Sequence, residues 1–274
     1  MWKVSAAPTS PDFYAIEKIQ PQFDWNSGLR FNLGYIFPKS RVDLRTSFTH
    51  ISTAPKNIVE SESLALVGIL ETQQLLPFAS AILAKREEME WRLKFTEILV
   101  ESGYKGLHGT HLTLRPHLGL ALFKLNQELD LAYSGLVDEF GSNRGERALH
   151  KSSKLYAVGP RIGLDSRWGF TQNLGLIAAA SGSLAFGRFT LTSEKTISDL
   201  TLAADPFTVT EFPQQQEKGI PILGLFFGLD WSGPVGDSAF SLSAGYETKY
   251  FWDIAINGGA LSMQGLSAGA TLRF

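Results

Sequence analysis

Charged and titratable residues recur at alternate positions of β-like stretches: Arg41, Asp43, Arg45, Arg115, His117, Arg161, Asp165, Arg167, Asp230 and Arg273. They share a face with glycines, and the opposite face is apolar. Basic groups outnumber acidic ones in this set, so the chemistry it offers is electrostatic. Guanidinium groups around a narrow passage favour anions. The other use of the same charges is a self-neutralising network that fills the passage. A carboxylate–histidine set from His111, His117, Asp165 and Asp43 is the enzymatic alternative. Those residues fall near the short connections, away from the rim where a small barrel would carry catalysis. No Gly-x-Ser-x-Gly elbow, His-Glu-x-x-His pair or other close ligand cluster occurs. The sequence therefore leads us to expect no enzyme, no metal and no cofactor.

Such residues need strands to hold them, and period-2 alternation is the dominant pattern of the chain. Leu29, Phe31, Leu33, Tyr35 and Phe37 alternate with small and polar residues, and Val42, Leu44, Thr46 and Phe48 return after Pro38-Lys39-Ser40. Trp91, Leu93 and Phe95 share a face until the apolar phase slips at Glu97 to Ile98 and Val100, which reads as a β-bulge. Further alternating runs cover Leu112 to Leu122, Val158 to Leu164, Leu174 to Phe189, Leu223 to Trp231 and Phe240 to Trp252. The last run carries Leu266, Ala268, Ala270, Leu272 and Phe274 on one face. An aromatic-ended two-faced strand is the signal that outer-membrane insertion machinery reads, with Leu266, Leu272 and Phe274 as its residues.

Connections alternate short and long: short after Phe37, Tyr104, Arg167 and Trp231, long at 53–88, 126–152 and 191–218. Outer-membrane barrels combine short periplasmic turns with long outer loops in this way. Counting back from a last strand that ends at the periplasm requires a further strand from the region of Trp2 to Ile19. Residues 1–24 then form an incomplete first strand and loop. The expected fold is all-β: one antiparallel transmembrane β-barrel over residues 1–274, of ten strands or alternatively twelve. Residues 53–88 form a long outer loop, with helical character from Glu60 to Glu90. Aromatics fall at strand ends in two girdles, with Phe37, Tyr104, Trp168 and Trp231 at the periplasmic level and Trp91, Tyr250 and Trp252 at the outer one.

Composition permits this reading. The chain has 274 residues, a net charge of -2 and no cysteine, and its mean hydropathy is near zero. That balance speaks against a nucleic-acid partner. The longest apolar run, Leu64 to Ala84, is interrupted by Glu71, Thr72, Gln73 and Gln74 and is no spanning helix. No leader with a basic start and apolar stretch precedes Trp2, so a signal peptide is expected to have been removed or to lie upstream.

The ordered series FDWNSGLRFNLGYIFPKSRVDLRTSFTH, EWRLKFTEILVESGY, LTLRPHLGLALF, VGPRIGLDSRWGF, GLFFGLDWSG and GALSMQGLSAGATLRF resembles the legionella and chlamydial type of major outer membrane protein. The resemblance implies a bacterial outer-membrane porin, pore-forming or adhesin-like at the surface, without a cofactor. The expected function is passive passage of small hydrophilic solutes through a narrow, basic-lined lumen. A closed structural or adhesin-like barrel is the alternative, and an outer-membrane enzyme comes third. Expected partners are outer-membrane lipid and lipopolysaccharide, the insertion machinery through the last strand, and further copies of the chain.

Overall fold

The computed structural model describes residues 2–6, 26–66, 83–105, 107–108, 111–137, 143–198, 207–236, 238–256 and 259–273. Strands account for nearly all of them: β1 (Trp2–Ala6), β2 (Gly28–Ile36), β3 (Val42–Thr53), β4 (Lys56–Leu66), β5 (Leu83–Tyr104), β6 (Leu107–His108), β7 (Leu112–Val137), β8 (Asn143–Gly169), β9 (Leu174–Ser198), β10 (Phe207–Thr210), β11 (Gln214–Val235), β12 (Ser238–Phe251) and β13 (Leu261–Arg273). Ten form one antiparallel path, in the order β1-β13-β12-β11-β9-β8-β7-β5-β3-β2. Off this path β4, β6 and β10 pair with β5, β7 and β9. The path curls on itself: Arg30 on β2, at one end, reaches Glu247 on β12, near the other, at 2.7 Å.

Curvature comes partly from glycine. At Gly159 a Cβ would overlap the carbonyl oxygen of Leu184 and the Cα of Ala185 on the neighbouring strand. Only a residue without a side chain permits that approach.

The short connections fall near where alternation placed them, at Phe37–Arg41, after Tyr104, at Phe170–Asn173 and after Val235, the last two a few residues beyond the expected strand ends at Arg167 and Trp231. At the other end the strands run far past a membrane. A spanning strand needs roughly 9–11 residues, whereas β7 and β8 have 26 and 27 and stay paired from Leu112↔Trp168 to Val137↔Asn143. Much of the expected loops at 126–152 and 191–218 is thus paired strand, forming tall hairpins. Residues 60–66 and 83–90 are strand as well, not helix, and 67–82 lie outside the described residues.

Along these strands the polarity inverts. Near the short turns the outward residues are apolar and exposed, including Leu118, Leu120 and Leu122 on β7, Ile162 and Leu164 on β8, and Leu225 and Phe227 on β11. Higher up the inward residues are apolar and buried: Trp91, Leu93 and Phe95 on β5, Phe123, Leu125 and Leu129 on β7, Leu155 on β8, Ile220 and Ile222 on β11, and Leu261 and Met263 on β13. The outward face there carries Arg92, Lys94, Lys124, Glu128 and Asp130. On β7 the switch falls between Leu122, which is outward, and Phe123, which is inward. The backbone does not change; the medium outside it does, from lipid to water.

The apparent phase slip at Glu97 is this inversion. The β3–β5 and β5–β7 registers run without a break from Leu93 to Gly103, so no bulge exists there. Trp91, expected in the outer girdle, points inward and is 2% exposed. The other girdle residues face out: Phe37, Tyr104, Trp168 and Trp231 at the short-turn level, and Tyr250 and Trp252, with rings 4.5 Å apart, at the upper one.

Candidate functional site

Alternation points the even-spaced polar residues of the lower half inward, where the curled sheet brings distant strands together. Arg115 on β7 is the hub. Its Nε donates to both carboxylate oxygens of Asp43 at 3.0 and 2.9 Å, and its Nη1 donates to Asp165 at 2.8 Å and Glu101 at 3.1 Å. The guanidinium lies over Gly103, where any Cβ would collide with it. Two residues on, the ring of His117 lies over Gly163. Its Nδ1 stands 3.3 Å from Glu101 and its Nε2 3.5 Å from Asp165. Arg45 reaches Asp43 and Asp165 at 3.4 and 3.5 Å, and Arg161 lies 3.7 Å from Glu101.

Arg167 and Asp230 form a separate pair at 2.8 Å nearer the turns. Higher in the interior Lys249 on β12 meets Glu97 on β5, both buried, beside the Arg30–Glu247 pair. The structure therefore joins Asp43, Arg45, Arg115, His117, Arg161 and Asp165 and sets Arg167 and Asp230 beside them. Arg41 is exposed in its turn, as is His111. The side chain of Arg273 and all of Phe274 lie outside the description.

Sequence reasoning missed Arg30, Glu97, Glu101, Glu247 and Lys249. All share the inward parity, which was the available signal. With them the charges balance: each buried base faces an acid, and the interior is an ion-pair network rather than a ring of unopposed cations. Desolvating such charges is costly unless each is paired.

Glu101, His117 and Asp165 bring ligand atoms within 4.8 Å of one another, close enough to share an ion. Arg115 already bonds both carboxylates, and Arg45 and Arg161 stand beside them. A divalent cation there would face fixed positive charge, so the donor set suits an internal salt-bridge cluster better than a metal.

Above the charges comes an apolar layer. The rings of Phe95, Phe123 and Phe251 pack at centroid distances of 5.5–6.2 Å across the interior. On top lie Ile254, Ala255 and Ile256, which follow β12, fold inward and are buried. Gln127 on β7 clasps it: its Nε2 donates to the carbonyl of Ile254 at 2.7 Å, and its Oε1 accepts from the amide of Ile256 at 3.2 Å. Asp253, with φ of 55°, makes the bend, and its carboxylate accepts from Lys218 at 3.0 Å. Neither the layer nor the clasp was foreseen.

An outward apolar belt, aromatic rims, short turns at one end and a polar interior at belt level are the construction of an outer-membrane strand sheet. No curated protein and no solved structure matches the chain. The family model described as Legionella pneumophila major outer membrane protein precursor matches residues 5–265, and the chain belongs to this family of bacterial outer-membrane proteins.

Proposed function

We propose that the protein is a porin-like barrel of the outer membrane whose passage is shut in the described state and opens to small hydrophilic solutes when Ile254, Ala255 and Ile256 leave the interior. The observation that carries this reading is the two-sided clasp of Gln127 on that segment, above an interior already filled by Phe95, Phe123 and Phe251. A plug held by the two hydrogen bonds of Gln127, the Lys218–Asp253 contact and apolar packing is removable without breaking the β12–β13 pairing. The reading is non-catalytic, because the buried charges are engaged with one another. Once the plug is out, the arginines around Asp43 and Asp165 would set selectivity.

Planar-bilayer recordings test it. Wild type is expected to be nearly silent with brief openings, and Gln127→Leu to open far more often. Steady high conductance from wild type would refute the shut state. Silence from Gln127→Leu and from a variant with 252–260 replaced by a short turn would favour the second reading, a closed surface scaffold. The tall β7–β8 hairpin supports that reading independently.

A further inference from the structure

Directly above the apolar belt the outward face of β5 to β9 carries a cluster of cations. In one cross-strand row Lys124 pairs with Tyr156 and Tyr156 with Arg188; in the next row up Lys94 pairs with Asn126 and Asn126 with Lys154. Just below lies the apolar row Ile98, Leu122, Val158 and Phe186. All four cations are exposed. Among the described residues none has a salt-bridge partner within 4.0 Å, although every buried base of the interior has one. Lys124 lies over the Tyr156 ring at 5.1 Å, which holds its ammonium against the sheet. The neighbouring acids are Glu217, across from Arg188 on β11, and Glu128, which is tied to Arg92.

Cations without a salt bridge on the outward face, one step beyond the belt, sit at headgroup height. With strands about 4.8 Å apart, the cluster is roughly 15 Å wide, the span of a headgroup rather than of a single ion. The short turns lie at the other end, so this is the outer leaflet. We propose that Lys94, Lys124, Lys154 and Arg188 bind the phosphate groups of lipopolysaccharide, anchoring one lipid A headgroup against the β5–β9 wall. The site is independent of whether the interior opens.

The test is binding of fluorescent lipopolysaccharide to the full chain in discs of neutral lipid. Lys94→Glu, Lys154→Glu and Arg188→Glu together should weaken binding at least tenfold, while Lys94→Arg with Lys154→Arg should retain it within twofold. Lipid A stripped of its phosphates should bind wild type as weakly as the triple variant, and millimolar inorganic phosphate should not displace the lipid. Equal binding by wild type and the triple variant would overturn the proposal, as would undiminished binding of the stripped lipid. A gel shift on heating confirms that each variant is folded.

Discussion

Arg115 is the residue on which the lower interior depends, because it bonds three carboxylates from three other strands. Arg115→Met should cost about 3–5 kcal/mol, since it leaves buried carboxylates without their counter-charge, and urea unfolding followed by tryptophan fluorescence would show it. Adding Asp43→Asn to that variant should recover part of the loss. Outside the membrane, burial raises the Asp130 carboxyl, but hydrogen bonds from His150 and Arg92 outweigh this and hold it below its ordinary value. A depressed carboxylate stabilises the fold above its ordinary pKa of about 3.9 and loses that contribution as pH falls through the lowered value. Hydrogen exchange of the tall hairpin should therefore accelerate in that acid window, and Asp130→Asn should remove the dependence. Arg45, Arg115, Arg161 and Arg167, with Asp43, Asp165 and Asp230, were legible from inward parity alone. Glu97 and Lys249 were not matched, because their partnership joins strands far apart in the path and leaves no local pattern.

At the scale of strands, alternation located each belt strand, its outward face and its short turn. It misjudged where strands end. Polar stretches such as Lys124 to Asp130 look like loop, yet they pair fully with β8 because their apolar partners Leu125 and Leu129 are buried on the other face. The parity change at Glu97 looked like a bulge because alternation records only which residues differ, not which side is wet. Side-chain-free contacts between strands are a second element-level device. Gly159→Val should lower stability by about 1–3 kcal/mol by overpacking against Leu184, seen as a lower temperature for the gel shift. Gly182→Ala should be tolerated, because nothing lies within 4 Å of the added Cβ.

For the whole molecule, two kinds of protein are stacked on the same strands. The belt half is polar inside and apolar outside; the upper half is built like a water-soluble domain, with Leu93, Leu125 and Leu155 fully buried and each contributing about 1.5–3 kcal/mol. Leu118→Arg, mid-belt and 69% exposed to lipid, should cost about 2–4 kcal/mol. Ser152→Arg on the outward face above should change stability by no more than about 0.5 kcal/mol. Chemical denaturation in vesicles distinguishes the two.

The inversion between Leu122 and Phe123 also fixes the depth at which the chain floats. Sliding the barrel outward would strip lipid from Ile98, Leu122 and Val158, and sinking it would drag Lys124 and Arg188 into hydrocarbon. Most spanning proteins absorb a mismatch in bilayer thickness by tilting or by small vertical shifts. Here both directions meet an immediate penalty, so the surrounding membrane must adjust its thickness to the protein.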